Sequence, residues 1–129
     1  MSYILEVNQN KEQFDSLISA ITSGSGGWKT AATGVTSFNV SGINAKEFLV
    51  IQKMRLPNNT YASTTFIIPK SAMLTAGTMI DGYYYNANYY GTFGVKVSST
   101  TIENDSAWVR MQYGSGTTIT TATIDIFYR

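Results

Sequence analysis

The sequence predicts a mainly β protein, an antiparallel β-sandwich of the jelly-roll kind preceded by one short N-terminal α-helix. Short apolar segments, separated about every 8 to 12 positions by turn residues, run from Trp28 to Arg129 and are typical of antiparallel sheets. These segments are rich in β-branched and aromatic residues, which favour strands. No helical pattern alternates with them, so the sequence argues against a parallel α/β sheet.

The chain divides at a glycine-rich stretch into residues 1–27, a helical segment and linker, and residues 28–129, the β domain. Asn10 can cap a helix, with Gln13 as its reciprocal partner. The apolar residues that follow fall at helical spacing on one stripe: Phe14, Leu17, Ile18 and Ile21. A helix of about three turns is marginal alone, so the stripe must pack against something. It either packs on its own domain or forms a short bundle with copies of itself, which makes these four residues candidate oligomer contacts.

The strand assignments rest on period-two patterns and turn residues. Residues 46–55 have a nearly continuous apolar centre, which is typical of a central strand buried on both faces. Residues 107–113 alternate, and residues 121–128 alternate with Thr121, Thr123 and Asp125 outside and Phe127 as the exception. Six residues are expected to form much of the core: Phe48, Val50, Phe66, Ile68, Ile124 and Ile126.

Composition restricts the classes of partner. Only 13% of the residues are charged and the net charge is +1, and the basic residues are scattered singly apart from Lys53 and Arg55. A nucleic-acid partner is not expected without a basic stripe, and membrane insertion is not expected without about 18 consecutive apolar residues. A neutral surface rich in hydroxyl and aromatic groups suits glycans, or contact with copies of itself.

The sequence offers little for catalysis or metal binding. It contains no His and no Cys, which removes Ser–His and Cys–His nucleophiles and the preferred zinc ligands. The acidic residues form no recognisable pair of the kind that a glycosidase uses, and residues 103–106 lack the spacing of a calcium loop. We therefore expect a non-enzymatic protein with no metal and no cofactor.

Aromatic residues around one predicted turn are the strongest binding signal. The candidate ligand-binding residues of this cluster are Tyr83, Tyr85, Asn86, Asn88, Tyr89 and Tyr90. Successive residues of a strand point to opposite faces, so at least one tyrosine of this hairpin is expected to be exposed. The cluster either fills the core through cross-strand packing or contacts a glycan or protein receptor, for which tyrosine is well suited.

Two tryptophans raise further hypotheses. Trp108 and Arg110 are predicted to share a face of one strand, where arginine near tryptophan would make a platform for a sugar. The alternative is that Trp108 is a core or subunit contact. Trp28 follows the glycine linker and is expected to anchor the start of the β domain.

The order of several motifs between Trp28 and Arg129 carries a resemblance to a known family. The motifs are Gly27-Trp28, Glu47-Phe48-Leu49-Val50, Phe66-Ile67-Ile68-Pro69-Lys70 leading to Leu74, Gly82-Tyr83-Tyr84-Tyr85 with Tyr89-Tyr90, and Ile126-Phe127-Tyr128-Arg129. Together they span about four-fifths of the chain. In this order they resemble the small C-terminal β-sandwich domain of prophage tail-fibre and related phage tail structural proteins. In that family the domain lies at the distal end of a fibre, usually as a homotrimer, and contacts the host surface.

The resemblance implies a virion protein of the phage tail, made in the bacterial cytoplasm. Its expected partners are copies of itself in a homotrimer, other tail proteins, and a glycan or protein of the bacterial cell surface. Because a short helix stands where the family has a long shaft, the chain is either a small standalone virion protein or the tip of a longer one. Two other functions stay open: a structural virion component without a ligand, and a free-standing carbohydrate-binding module.

Overall fold

The computed structural model describes residues 2–4, 25–57, 59–74, 77–85, 89–114 and 116–129, and only the backbone of residues 2–4, 25, 74 and 78–85. This part of the chain is mainly β and forms two antiparallel sheets, which confirms the predicted mainly β class. The predicted N-terminal helix, including the stripe from Phe14 to Ile21, lies outside the described residues.

The described residues contain eleven strands and two short 3-10 turns, and no α-helix occurs among them. The strands are β1 (Ser2–Ile4), β2 (Lys29–Val35), β3 (Ser37–Asn39), β4 (Glu47–Arg55), β5 (Tyr61–Pro69), β6 (Gly77–Tyr85), β7 (Tyr89–Val97), β8 (Thr101–Asn104), β9 (Arg110–Tyr113), β10 (Thr117–Ile119) and β11 (Thr123–Tyr128). The 3-10 turns cover Ser25–Gly27 and Lys70–Leu74.

The first sheet has five strands in the order β1-β5-β4-β11-β2. Its centre is the long hairpin of β4 and β5, which pair from Glu47 with Pro69 to Arg55 with Tyr61. Strand β1 lies at one edge, with Ser2 opposite Phe66. The sequence predicts these first residues as part of the helical segment, because a strand of three residues is too short to show a period.

The second sheet has six strands and is organised around β7. Strand β6 pairs with one edge of β7 along its length. The other edge is shared: β9 pairs with residues 89–92 of β7, and β8 pairs with residues 95–97. Beyond them lie β10 and β3, respectively. Strands β8 and β9 therefore separate opposite Gly94.

The main core lies between the two sheets. All six residues predicted for the core are at most 1% exposed: Phe48, Val50, Phe66, Ile68, Ile124 and Ile126, so that prediction is confirmed. They pack in one cluster with residues of the second sheet and its loops, including Phe93, Val95, Ile102 and Met111. The period-two pattern therefore identified which side of these strands faces the other sheet. Apolar residues occupy that side because their burial removes apolar surface from water.

A buried amide crosses this core at the place where β8 and β9 separate. Gln52 Nε2 donates to the carbonyl oxygen of Gly94 at 2.8 Å, and the Gly94 N–H donates back to Gln52 Oε1 at 2.9 Å. Nε2 also donates to Asn104 Oδ1 at 2.8 Å, and Asn104 Nδ2 donates to the Ala122 carbonyl at 2.6 Å. The side chain of Gln52 therefore takes the place of a neighbouring strand for Gly94 and links the sheets through hydrogen bonds.

Replacing Gln52 with Leu is expected to lower the free energy of unfolding by about 2–4 kcal/mol, because the buried Gly94 N–H and the partly buried Asn104 Oδ1 lose their Gln52 partner. The matched control is Gln112→Leu, the same change at a partly exposed position of β9. The measurement is the midpoint of urea unfolding for each variant. Equal midpoints for the two variants would contradict a stabilising role for the Gln52 amide.

Candidate functional site

Two large aromatic side chains are exposed on the second sheet. Tyr90 is 38% exposed and Trp108 is 40% exposed, and these are the exposed large hydrophobic residues of the described chain. Along β7, Tyr89, Phe93 and Val95 are buried toward the core, so Tyr90 lies on the opposite, outer face of the sheet. Both exposed rings are among the candidate ligand-binding residues predicted from the sequence.

The strand register surrounds Tyr90 with polar side chains. Tyr90 pairs with Gln112, and Thr92 pairs with Arg110, and paired residues share a face of an antiparallel sheet. A shallow cleft of about 180 Å³ lies here, lined by Tyr90, Gly91, Thr92, Arg110 and Gln112. This outer surface, together with Trp108, is called the aromatic face below.

Trp108 reaches the aromatic face from a turn and not from a strand. Strand β9 begins at Arg110, so the prediction that Trp108 and Arg110 share one strand is wrong. The Trp108 N–H donates to the Asp105 carbonyl at 3.0 Å, and the Thr92 hydroxyl donates to the Trp108 carbonyl at 2.6 Å. These two hydrogen bonds fix the backbone of Trp108 against β7.

A glycine makes room for Trp108. A Cβ atom at Gly94 would lie 2.6 Å from Cβ of Trp108, which is far closer than two carbon atoms can approach. The indole therefore starts directly over the backbone of β7, at the residue whose amide and carbonyl are held by Gln52. The position of Trp108 thus depends on the same interruption of the sheet that the Gln52 amide fills.

Arg110 supplies positive charge to the aromatic face. Its side chain is exposed, and the ion pairs found among the described residues, Lys53 with Asp125 and Glu47 with Arg129, do not include it. Its guanidinium can therefore donate to an incoming oxygen acceptor without first breaking an ion pair of that described set.

Tyr89 belongs to the core. It is 2% exposed and its ring stacks on that of Tyr113, with centroids 4.7 Å apart and an interplanar angle of 29°. The two residues are also directly paired across β7 and β9. Because Tyr89 points inward where its neighbour Tyr90 points outward, it is not available to a ligand on the aromatic face, contrary to its selection as a candidate ligand-binding residue.

The other residues of the predicted tyrosine cluster lie at the edge of what is described. The backbone of Tyr85 is paired with Tyr90, and that of Tyr83 with Thr92, which places both beside the aromatic face in the register of β6 and β7. Asn86 and Asn88 lie outside the described residues. The roles assigned to these four residues stay predictions.

A second cluster surrounds Trp28 and Arg129. The Arg129 guanidinium carbon lies 4.2 Å from the centroid of the Trp28 ring, and the guanidinium donates to Glu47 Oε1 and to the Gly26 carbonyl at 2.9 and 2.8 Å. Trp28 also packs against a buried cluster that contains Leu49, so it anchors the start of β2 as predicted. An open cavity of about 540 Å³ lies nearby, lined by Asn44, Ala45, Lys46, Glu47 and Arg129.

This second cluster offers less to a ligand than the aromatic face, although its cavity is larger. One side of the Trp28 ring is covered by Arg129 and another contacts the buried cluster. The guanidinium of Arg129 is in turn engaged by Glu47. In the second cluster the Trp28 ring and the Arg129 guanidinium thus contact each other. On the aromatic face, Tyr90 and Trp108 are both more than one-third exposed.

Two searches of the described residues concern metals and membranes. No group of three or more acidic residues converges there in a way that could hold a metal ion. In that same part of the chain, no helix is long and apolar enough to cross a membrane.

Comparison with known proteins returned no match for this chain, whether to a protein family, a curated protein or a solved structure.

Sequence reasoning selected Tyr90, Trp108 and Arg110 but missed the polar residues between them. Thr92 and Gln112 fall on the aromatic face through the register of β7 and β9, and a sequence does not reveal which strands pair. The alternation of β7 was a usable signal for Thr92, because it lies two residues after Tyr90. The structure thereby adds a hydroxyl and an amide to the predicted site.

Gly91→Ala is expected to destabilise the protein by about 2–3 kcal/mol, because an added Cβ would lie 2.0 Å from the Arg110 carbonyl oxygen. The matched control is Gly77→Ala in β6, where nothing lies within 4 Å of an added Cβ. Thermal melts of both variants make the comparison. If Gly91→Ala melts with Gly77→Ala, the close approach of β7 and β9 beneath the aromatic face is incorrect.

Proposed function

We propose that this chain is a non-enzymatic β-sandwich that binds a bacterial surface glycan through its aromatic face, as a domain of the kind found at the tip of a phage tail fibre. One observation carries the binding proposal: Tyr90 and Trp108 are exposed beside an arginine that has no ion pair among the described residues. An exposed aromatic patch with polar groups at its rim commonly marks a binding site.

The chemistry of the aromatic face suits a sugar. A pyranose ring has an apolar side made of C–H groups, which packs against aromatic rings, and a rim of hydroxyl groups. Tyr90 and Trp108 provide the rings, while Thr92, Arg110 and Gln112 provide donors and acceptors at their side. A binding site of few polar groups among aromatic side chains is the common arrangement for small polar ligands.

The aromatic face is also largely formed before any ligand arrives. Tyr90 and Arg110 stand on paired strands, and the backbone of Trp108 is held by Asp105 and Thr92. Rigid placement reduces the entropy that binding would otherwise cost.

The phage-tail setting rests on the order of motifs between Trp28 and Arg129. That resemblance supports a virion protein that assembles with other tail proteins and faces the host surface. A purely structural virion component is the second candidate, because exposed Tyr and Trp residues with a nearby Arg also fit a subunit contact. Binding to an isolated glycan separates the two functions.

The homotrimer that the resemblance implies gives a direct prediction. Light scattering at micromolar concentration is expected to show about three times the 14.2 kDa mass of the chain, because closed symmetric oligomers are the usual form of assembly. A monomer mass that persists up to 100 micromolar would contradict the trimer. The glycan proposal does not depend on this result.

Trp108→Ala and Tyr90→Ala are each expected to weaken glycan binding by roughly tenfold, about 1.4 kcal/mol, because each removes an exposed stacking surface. Neither change is expected to lower the melting temperature by more than a few degrees. The probe is a printed array of bacterial O-antigens, capsular polysaccharides and teichoic acids, followed by titration of the strongest binder.

The matched controls are Ser37→Ala, an exposed residue of β3 at the far edge of the same sheet, and Tyr89→Ala. Ser37→Ala is expected to change neither affinity nor stability. Tyr89→Ala is expected to lower stability, because Tyr89 is a core residue. No binding to any array component, or unchanged affinity in both aromatic variants, would rule out the aromatic face as a glycan site.

A further inference from the structure

We infer that the glycan bound by the aromatic face is an anionic one, whose carboxylate or phosphate oxygens are bound by the Arg110 guanidinium. This assignment rests on the proposed function and narrows the ligand from glycans in general to those that carry an oxyanion beside a pyranose ring. Three features of the described residues support it: Arg110 has no side-chain partner among them, no acidic residue among them lines the cleft, and N–H donors predominate there.

Arg110 differs from the other two arginines of the chain in having no partner on the protein. Arg55 Nη2 donates to Asn59 Oδ1, and Arg129 Nε donates to Glu47 Oε1 at 2.9 Å. Within the described part of the chain, the exposed side chain of Arg110 has neither a hydrogen bond nor an ion pair. A guanidinium carries five N–H donors in a fixed planar fork that matches an oxyanion, and at Arg110 this fork is open to a ligand.

The strand register leaves the charge of Arg110 unbalanced. Arg110 lies opposite Thr92 in the pairing of β9 with β7. Lys96, farther along the same face of β7, lies instead opposite Glu103 of β8, and opposite charges in directly opposed positions attract across a sheet. None of the described residues that line the cleft is acidic. The positive charge at Arg110 is therefore available to the negative charge of a ligand.

One acidic residue, Asp105, lies close to the aromatic face but serves the turn that carries Trp108. Its Cβ would be 3.7 Å from a Cβ added at Gly94. Its carboxylate accepts from the Ala107 N–H at 2.9 Å, and its carbonyl accepts from the Trp108 N–H at 3.0 Å. Asp105 is not among the residues that line the cleft, so it does not take the place of an anionic ligand beside Arg110.

The polar side chains of the cleft offer more hydrogen-bond donors than acceptors. The Thr92 hydroxyl already donates its proton to the Trp108 carbonyl at 2.6 Å, so this hydroxyl can only accept from a ligand. Arg110 supplies N–H groups alone, and the Gln112 amide supplies two N–H donors and one acceptor oxygen. An ionised carboxylate or phosphate group only accepts hydrogen bonds, and its bonds to a guanidinium are stronger than those of a neutral hydroxyl.

The aromatic rings lie where a sugar stacked on them brings its substituents to Arg110. Tyr90 opposite Gln112 and Thr92 opposite Arg110 form neighbouring rows on the outer face of the sheet, and Trp108 precedes Arg110 by two residues. A pyranose ring on this face also displaces water from around the guanidinium. Removal of water strengthens an ion pair relative to a fully exposed one, so the charged glycan gains more from the site than a neutral glycan of the same shape.

Affinity for charged and neutral forms of one glycan tests this assignment. The strongest binder on the array of bacterial polysaccharides is titrated against the full chain before and after its charge is removed. Carbodiimide-mediated reduction converts each uronate into the neutral hexose, and hydrogen fluoride removes phosphate substituents, so the two treatments also distinguish a carboxylate from a phosphate ligand. The charged form is expected to bind roughly tenfold more tightly than the neutral form.

Arg110→Gln is expected to weaken binding of the charged form by about tenfold and that of the neutral form by less than about twofold, because only the charged form loses an ion pair. Arg110→Lys keeps the charge but not the planar fork, and is expected to weaken binding of the charged form by about threefold. The matched control is Lys96→Gln, which removes one exposed positive charge elsewhere on the same face and is expected to leave both affinities within about twofold.

The anionic ligand and the proposed function fail in different ways. A neutral strongest binder, equal affinity for the two forms, an Arg110→Gln variant that keeps its preference for the charged form, or an equal loss in Lys96→Gln would overturn the anionic ligand and leave glycan binding by the aromatic face intact. No binding to any array component, or binding that Trp108→Ala and Tyr90→Ala both leave unchanged, would overturn the proposed function and the anionic ligand with it.

Discussion

The amide of Gln52 is the interaction on which the arrangement of the two sheets depends. One edge of β7 pairs with β9 over its first half and with β8 over its second half, so that Gly94 between them has no paired strand on this edge. Gln52 reaches across the core and bonds to the Gly94 N–H and carbonyl, and the Gly94 carbonyl also accepts from the Asp105 N–H at 3.0 Å. This hydrogen-bonded bridge favours one arrangement of the two sheets, because a buried amide is stabilising only where each of its partners is in place. Its link to Asn104, and from there to the Ala122 carbonyl, also fixes the distance between the sheets.

The candidate binding site follows from the same division of the sheet. Because β8 and β9 separate at Gly94, the chain between them can turn at residues 105–108 and return over β7. Gly94 has no side chain to obstruct Trp108, and Thr92 binds the Trp108 carbonyl. Core and surface are thus coupled through one strand: Phe93 and Val95 pack inward, while Tyr90 and Thr92 face outward. A change at Gln52 is therefore expected to affect the position of Trp108 as well as stability.

The sequence allowed the β class and the six core residues to be predicted, because these depend on local alternation of apolar and polar residues. It named Tyr90 and Trp108 among the candidate ligand-binding residues. It did not allow the roles of Gln52, Thr92 and β1 to be predicted, since each is defined by a partner far away in the chain. Trp108 shows the limit most clearly. Its alternation with Val109 was identified correctly, but the turn that carries it depends on Asp105 and Thr92. Tyr89 and Tyr90 were equivalent in the sequence, and only strand pairing separates the core residue from the exposed one.

The central claim is that a glycan binds the aromatic face, and the chain offers a direct reporter because it contains only two tryptophans. In a ¹⁵N NMR titration with a bacterial surface polysaccharide, the two indole N–H signals can be followed separately after assignment with a Trp28→Phe variant. Trp108 is exposed and Trp28 is covered by Arg129, so the account predicts a saturable shift of the Trp108 signal and little change for Trp28. A polysaccharide that binds the protein while shifting the Trp28 signal and leaving that of Trp108 unchanged would contradict it.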